Sequence, residues 1–206
     1  MTRGPRPALL VATTNSGKLR EIRELLGDVA VELVTLGDLP PVEAPEETGS
    51  TFEENARLKA TYYSTRTGRL TVAEDSGLVV DALGGEPGVL SARYVRADAS
   101  YAERFDDIYR RLEQRPDAGR AARFVCALAV ADGDTVVFQT RGTVEGEIAD
   151  APRGTGGFGY DPIFLFPAYQ RTLAEVTRKE KLAVAHRGKA FRDLAAWLRA
   201  RAIPTP

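Results

Sequence analysis

The sequence contains too few cysteines and histidines for the commonest metal and disulfide sites. Among its 206 residues there is one cysteine and one histidine. One cysteine excludes an intrachain disulfide, and the two residues together exclude the usual zinc sites built from Cys and His. A metal in this protein would therefore be held by carboxylates.

The chain also lacks an excess of one charge and a long apolar run. Its 28 basic and 29 acidic residues give a net charge of −1, which argues against a protein that coats nucleic acid or anionic membranes by bulk electrostatics. The apolar residues 8–12 are too few for a signal peptide or a membrane span. We therefore expect a cytoplasmic protein with one domain over residues 1–206, in which residues 1–7 form a flexible tail.

Glycine is concentrated in residues 154–162, which read GTGGFGYDP. The glycines allow the backbone to approach a ligand closely, and Phe158 offers a flat apolar face on which a base can stack. A glycine-rich run is also typical of a flexible surface turn. However, Phe158 and Tyr160 are too apolar for an ordinary linker, and Asp161-Pro162 restricts the backbone before the strand-like residues 163–166. We interpret the stretch as a rigid binding loop.

The beginning of the chain predicts a strand, a polar loop and a helix. The strand covers residues 8–12, the loop residues 13–17 and the helix residues 18–26, before Gly27. Unpaired N–H groups and the helix dipole favour a phosphate at such a helix start, and Lys18 adds a full charge. The loop is not a Walker A motif, because it lacks that motif's first glycine and the Ser or Thr after the lysine. An ordinary capped helix start is the alternative.

A second helix is predicted to begin with a capping box formed by Ser50 and Glu53. Asn55 and Lys59 lie four residues apart in it, so both project from one side. A solvated polar face is the alternative interpretation. Glu47 precedes the helix, where an acidic residue also complements the helix dipole.

A strand over residues 69–73 is predicted to end at Glu74-Asp75-Ser76-Gly77. Two adjacent carboxylates at the end of a strand can hold Mg²⁺ through oxygen ligands, while one of them activates a water. An Asp-Ser-Gly turn explains the same residues without any chemistry, so both interpretations stay open.

The middle of the chain predicts packing elements. A capping box at Ser100 and Glu103 opens an amphipathic helix. Its predicted core face carries Tyr101, Phe105, Ile108 and Leu112. Residues 123–131 and 135–140 predict a hairpin, and we interpret Cys126 in its first strand as a buried apolar residue, since no histidine is near it in sequence.

A basic cluster follows the glycine-rich loop and includes Lys181, His186 and Arg187. The final helix then carries an apolar stripe of Phe191, Leu194 and Leu198. A lone histidine is usually structural, and a basic run is usually solvated. Because this cluster follows the aromatic loop, Arg187 is also a candidate donor to a base carbonyl, and Lys181 a candidate countercharge to an acid or phosphate.

These motifs together resemble the inosine/xanthosine triphosphate pyrophosphatase family nearly end to end. The resemblance is carried by residues 13–18 (TTNSGK), 47–49 (ETG) with Phe52, Asn55 and Lys59, 75–77 (DSG), 91–94 (SARY), 156–162 (GGFGYDP) and 185–188 (AHRG). Several independent motifs in the family's order make the resemblance specific.

The resemblance implies a fold and an activity. The implied fold is α/β, with an elongated mixed β-sheet flanked by helices and two lobes that hold a nucleotide in the cleft between them. The implied activity is Mg²⁺-dependent hydrolysis of the α–β phosphoanhydride of ITP, dITP and XTP to the monophosphate and pyrophosphate. The implied enzyme is a homodimer that acts on a small nucleotide, with neither polymeric nucleic acid nor a membrane as partner.

The resemblance also implies roles for individual residues. Asp75 matches the catalytic acidic residue that activates water and helps to hold the metal, Glu47 is a further metal ligand, and Lys59 is catalytic and contacts the triphosphate. The implied substrate-binding residues are Thr13, Thr14, Asn15, Ser16, Gly17, Lys18, Ser76, Phe158, Gly159, Tyr160, Asp161, Lys181, His186 and Arg187. Inosine and xanthine present a 6-oxo acceptor where adenine presents an amino donor. A hydrogen-bond donor such as Arg187 would therefore favour inosine and xanthine nucleotides over adenine nucleotides.

Two positions depart from the family pattern. Glu74 stands where many relatives carry Asp, which leaves its part in metal binding open, and Ala185 replaces a frequent Ser.

Two alternative functions stay open. The related septum-inhibitor-like pyrophosphatases, which act on modified pyrimidine nucleotides, are one alternative, but their opening loop typically reads Ser-Pro-Arg-Arg where residues 15–18 read NSGK. A nucleotide sensor without turnover is the other, and the presence of Asp75, Glu47 and Lys59 disfavours it.

Overall fold

The structure is a computed structural model that describes residues 7–201. Within that range it contains five helices and seven strands, in the order β1 (Ala8–Val11), α1 (Ser16–Leu25), β2 (Glu32–Thr35), α2 (Phe52–Thr67), β3 (Thr71–Val80), α3 (Tyr101–Glu113), β4 (Ala121–Asp132), β5 (Thr135–Ile148), β6 (Phe164–Phe166), β7 (Arg171–Thr172), α4 (Arg178–Val184) and α5 (His186–Arg201). Apart from Pro7, the predicted tail of residues 1–7 lies outside the described residues.

The strands form a mixed sheet in the order β2-β1-β3-β4-β5-β6-β7. β1 pairs in parallel with both β2 and β3, whereas β6 is antiparallel to β5 and β7. Parallel neighbours need a crossover connection, and α1 provides the one between β1 and β2. The predicted α/β class with a mixed sheet and flanking helices is confirmed.

Backbone contacts divide the described chain into two compact units. The first unit contains the residues up to Asp75, then Cys126–Gly142 and the residues from Arg187 onward; the second contains Ser76–Val125 and Thr143–His186. The first unit has a core that includes Leu9, Val11, Ile22, Leu26, Val72, Leu128, Phe191, Leu194 and Leu198. The second has its own core, which includes Leu78, Val80, Phe105, Ile108, Leu112, Phe124, Ile148, Tyr160 and Phe164. The apolar stripe predicted for the final helix is thus confirmed.

β3 is longer than the sequence predicted. We expected the strand to end at residue 73, but it continues to Val80. Leu78 and Val80 are fully buried, and such apolar residues favour a strand that extends past the polar stretch. Glu74 and Asp75 therefore lie inside a strand, and the interpretation of residues 74–77 as a turn was wrong.

Two helix starts differ from their predicted positions. α1 begins at Ser16 rather than at residue 18, because Asn15 caps it, so residues 16 and 17 of the predicted loop lie in its first turn. The capping box of α2 uses Thr51 and Glu54 rather than Ser50 and Glu53, and Ser50 Oγ donates to Glu54 Oε2 at 2.8 Å. Both pairs have the required spacing of three residues, so the pattern did not distinguish them. The box predicted for α3 is confirmed.

The remaining predictions for the middle of the chain were mostly correct. β4 and β5 form the expected hairpin around Gly133, which has a φ of +61°. Cys126 is fully buried, as predicted, but Tyr101 is 39% exposed rather than part of the core. Within residues 7–201, no helix has both the length and the apolar character needed to span a membrane.

Candidate active site

The side chain of Lys59 bridges two carboxylates in the first unit. Its Nζ donates to Asp75 Oδ1 at 2.9 Å and to Glu47 Oε1 at 2.8 Å. α2 carries the lysine, β3 carries Asp75, and Glu47 belongs to the segment that leads into α2. The structure therefore brings together the three residues expected to be catalytic or to bind metal.

Asn55 connects the same carboxylate to the backbone before α2. Its Oδ1 accepts from the Gly49 N–H at 2.8 Å, and its Nδ2 donates to Asp75 Oδ2 at 3.3 Å. Asn55 is fully buried, so its amide holds Asp75 in one orientation. The prediction that Asn55 and Lys59 project from one side of the helix is confirmed, because both reach Asp75.

Burial and charge act in opposite directions on this cluster. Burial raises the pKa of Asp75 above its usual value, although Lys59 attracts the ionised form. Burial by itself would lower the pKa of Lys59, but Asp75 and Glu47 outweigh it and the pKa is raised. The lysine therefore remains charged, while Asp75 is a stronger proton acceptor than an exposed aspartate.

The donor set around Lys59 suits Mg²⁺. That ion prefers oxygen ligands and is usually held by one or two carboxylates together with waters and substrate phosphates. Glu47 and Asp75 supply two such carboxylates beside one another. Among residues 7–201, no group of three or more His, Cys, Asp or Glu side chains is arranged to hold a metal ion.

The polar loop at the end of β1 forms the start of α1. Asn15 is the N-cap residue, and its Oδ1 accepts from the Lys18 N–H at 3.0 Å. Thr14, Asn15 and Ser16 are exposed, whereas Gly17 is buried. The side chain of Lys18 reaches Glu74, whose Oε1 lies 3.5 Å from its Nζ. The loop thus presents a capped helix N-terminus beside a lysine.

Glu74 and Arg187 form a buried ion pair. Arg187 Nε donates to Glu74 Oε1 at 2.8 Å, and Arg187 Nη1 donates to Glu21 Oε2 at 2.6 Å. The arginine is 1% exposed. The sequence suggested Arg187 as a donor to a base carbonyl, and the structure shows several of its donors facing carboxylates.

Glu21, which contacts Arg187, and Cys126, which contacts Glu74, were not predicted to take part in this ion pair. Cys126 Sγ donates to Glu74 Oε2 at 3.2 Å, and burial raises the pKa of the thiol well above its usual value, so it stays protonated. Glu21 lies three residues after Lys18, hence on the same face of α1. That spacing was the one available signal, whereas nothing in the sequence linked Cys126 to Glu74.

In the second unit, Asp161 organises the aromatic part of the glycine-rich loop. Its Oδ2 accepts from the Phe158 N–H at 2.7 Å and from Lys181 Nζ at 2.6 Å. Both Asp161 and Lys181 are buried, and Lys181 Nζ lies 4.6 Å from the centre of the Phe158 ring. Phe158, Asp161 and Lys181 therefore form one connected group, in which the lysine balances a buried acid.

The glycines of this loop allow close packing. A Cβ atom on Gly157, whose φ is +69°, would lie 2.0 Å from Asp161 Oδ2, and one on Gly154 would lie 2.4 Å from the carbonyl carbon of Ala174. The loop ends at Tyr160, which is buried and whose Oη donates to the Ser91 carbonyl at 2.8 Å. These contacts describe an ordered loop rather than a flexible surface turn.

The other predicted residues of this unit differ in burial. His186 is buried and its ring stacks on Phe124, with centroids 4.8 Å apart and an interplanar angle of 16°. Ser76 is partly exposed within β3, and Gly159 lies beside Tyr101. Phe158 is also partly exposed.

Comparison with known proteins identifies close relatives. A family model described as the Ham1 family matches residues 9–197. The chain is 44% identical over 191 residues to a dITP/XTP pyrophosphatase of Halalkalibacterium halodurans, covering 92% of this chain and 97% of the relative. A solved HAM1 protein from Coxiella burnetii has a TM-score of 0.88 and 42% identity over 94% of this chain and 99% of that one. A solved nucleoside-triphosphatase, or dITP/XTP pyrophosphatase, from Mycobacterium abscessus has a TM-score of 0.72 and 43% identity. The match covers 93% of this chain and 98% of that one.

Proposed function

This chain belongs to the Ham1 family, and we propose that it hydrolyses non-canonical purine nucleoside triphosphates to the monophosphate and pyrophosphate. The proposed substrates are dITP, XTP and ITP, and the first two appear in the names of its relatives. The observation that carries the proposal is the bridge of Lys59 between Asp75 and Glu47. A lysine between two carboxylates supplies the charge, the base and the metal ligands that cleavage of a phosphoanhydride needs.

We assign Asp75 as the general base. Its pKa is raised by burial, and the contacts with Asn55 and Lys59 fix its orientation, so it can accept the proton of an attacking water. Glu47 and Asp75 would hold Mg²⁺, which neutralises phosphate charge when bound. Lys59 then adds a positive charge beside the reacting phosphates.

The start of α1 is proposed to hold the triphosphate. Backbone N–H groups at a helix N-terminus bind phosphate, and Lys18 contributes a charge in the same turn. Residues 13–17 are the polar segment that leads into this helix. Thr14, Asn15 and Ser16 are exposed, so a phosphate can reach this segment.

The second unit is proposed to recognise the base. Phe158 offers the stacking face, and its backbone is fixed by Asp161, which Lys181 holds in place. His186 of this unit is one proposed donor toward the 6-oxo group that hypoxanthine and xanthine share, and Arg187, which belongs to the first unit, is the other. Adenine presents an amino donor at that position, so donors of this kind would disfavour ATP.

Three further properties are part of the proposal, because the family resemblance implies them. The enzyme would require Mg²⁺, act as a homodimer and work in the cytoplasm. We also propose that residues 1–206 function as a single catalytic domain.

Product analysis tests the proposed reaction. Purified protein is incubated with ITP and Mg²⁺ and followed by ³¹P NMR. We expect the resonances of inosine monophosphate and pyrophosphate to grow together, without inosine diphosphate. Release of diphosphate and inorganic phosphate would contradict the proposed bond cleavage, and intact ITP would favour a sensor without turnover.

A further inference from the structure

Glu74 is the immediate neighbour of Asp75, but its carboxylate has different partners. Its Oε1 lies 2.8 Å from Arg187 Nε and 3.5 Å from Lys18 Nζ. Its Oε2 accepts from Arg187 Nη2 at 3.4 Å and from Cys126 Sγ at 3.2 Å. The side chain is 2% exposed. Two cations and a thiol therefore surround this carboxylate.

The strand geometry separates Glu74 from the metal-binding carboxylates. Successive side chains of a β-strand point to opposite faces, so adjacent residues of β3 diverge. Asp75 accordingly meets Lys59, whereas Glu74 meets Arg187. An adjacent acidic pair in the sequence suggested a shared metal, but in the structure each carboxylate belongs to its own ion pair.

The charges around Glu74 also oppose a role as a metal ligand. Both oxygens of the Glu74 carboxylate already face donors, from Arg187 and Lys18 on one side and from Arg187 and Cys126 on the other. The carboxylate thus has two cations as partners inside the protein. The Glu47 side chain, by contrast, is 27% exposed, so a hydrated ion could reach its carboxylate but not that of Glu74.

We propose that Glu74 is a positioning residue that fixes Lys18 and Arg187 and does not bind the metal. The inference rests on the proposed function, in which Lys18 holds the triphosphate and Arg187 reads the base. The single carboxylate sets the positions of two side chains that the nucleotide meets. Loss of its charge should therefore change substrate selection while metal binding stays the same.

The test compares Glu74→Gln with Glu47→Gln in the full chain. Mn²⁺ binding to the protein is measured by electron paramagnetic resonance, and kcat/KM is measured for ITP and ATP with Mg²⁺. In Glu74→Gln we expect the ratio of kcat/KM for ITP to that for ATP to fall about tenfold or more, since a misplaced contact can cost this much. In Glu74→Gln we expect the Kd for Mn²⁺ to remain within about twofold of the wild-type value. In Glu47→Gln, which removes a proposed ligand, we expect this Kd to rise about tenfold or more.

Glu74→Asp is the matched conservative variant. It keeps the charge but withdraws the carboxylate by one methylene, so we expect a smaller fall in the ITP to ATP ratio and an unchanged Kd for Mn²⁺. Thermal melting shows which variants fold. If Glu74→Gln does not fold, Glu74→Asp provides the same comparison, because a retracted carboxylate still moves its two cations.

Two results would overturn the inference. One is a Kd for Mn²⁺ that rises in a Glu74 variant as much as in Glu47→Gln. The other is an ITP to ATP ratio that stays at the wild-type value in every folded Glu74 variant, which would leave Glu74 a purely structural residue. Failure of the proposed function can be distinguished from failure of this inference. If the proposed function is wrong, the wild-type protein releases no pyrophosphate from ITP. The Mn²⁺ comparison would still decide whether Glu74 binds metal.

Discussion

Asp75 and Glu74 follow one another in the sequence, but the side chains around them differ. Asp75 contacts Lys59 and Asn55, and burial raises its pKa. Glu74 contacts Arg187 and Lys18, which hold its pKa low. A carboxyl group with a raised pKa is the better proton acceptor near neutral pH. The local environment therefore favours Asp75 as the general base.

Asp75→Asn tests that assignment. The amide keeps the shape of the side chain but cannot accept a proton, so we expect kcat for ITP to fall by about 10²–10⁴-fold, the usual contribution of a general base. ITP binding, measured by calorimetry, should be largely kept. Asp98→Asn is the matched control, because Asp98 is 85% exposed and should leave turnover unchanged. Normal turnover in Asp75→Asn would refute the assignment.

Lys59→Met tests the charge bridge through stability. The variant leaves the carboxylates of Asp75 and Glu47 without the cation that bridges them. In the absence of metal we expect the free energy of unfolding to fall by roughly 2–3 kcal/mol. This loss is small for a broken buried ion pair because the Glu47 side chain is 27% exposed. Urea unfolding measures the change. Mg²⁺ should recover more stability in the variant than it adds to the wild type, because a bound cation would offset the repulsion between the two carboxylates.

The control for Lys59→Met is Lys179→Met, which replaces an exposed lysine. We expect it to stay within about 0.5 kcal/mol of the wild type. An equal loss of stability in the two variants would contradict a specific role for the bridge.

β3 is the element that positions both carboxylates, and a close contact fixes its second half. A Cβ atom on Gly77 would lie 2.2 Å from Ser91 Oγ and 2.6 Å from the Gly88 carbonyl oxygen. Ser91 Oγ in turn accepts from the Leu78 N–H at 2.9 Å. The glycine therefore allows the segment around Ser91 to approach the strand.

We expect Gly77→Ala to lower the free energy of unfolding by about 1–3 kcal/mol, because the added methyl group overpacks this contact. Gly37→Ala is the matched control, since its Cβ would meet only Thr35 Oγ1 at 3.8 Å. Chemical unfolding of both variants measures the difference. Equal stabilities would show that β3 tolerates the methyl group, and that the approach of Ser91 is not required.

Sequence patterns predicted the type of most elements but not all of their limits. The hairpin around Gly133 and the capping box of Ser100 and Glu103 were correct because their signals are local. The length of β3 was not predictable from residues 74–77, which also fit a turn; packing of Leu78 and Val80 against the rest of the unit extends the strand. The start of α2 was ambiguous because two capping boxes overlap.

The contacts that build the site join distant parts of the chain, and here sequence reasoning was weakest. Arg187 is 113 residues from Glu74 and 166 residues from Glu21, and no periodic pattern links residues so far apart. The family resemblance predicted Lys59, Asp75, Phe158 and Asp161 as site residues, but it did not show that Arg187 contacts the carboxylates of both Glu74 and Glu21. Charge pairing at long range had to come from the structure.

The preference for non-canonical purines is the central claim for the molecule as a whole. It is tested most directly by measuring pyrophosphate release with Mg²⁺ from ITP, XTP, GTP, ATP, dTTP and dUTP in parallel. We expect rapid release from ITP and XTP and slow release from ATP, dTTP and dUTP. GTP shares the 6-oxo group, so slow release from GTP would require a contact that rejects its 2-amino group. Release mainly from the pyrimidine nucleotides would contradict the proposed specificity and favour the septum-inhibitor-like class, and no release from any of them would contradict the proposed enzyme activity itself.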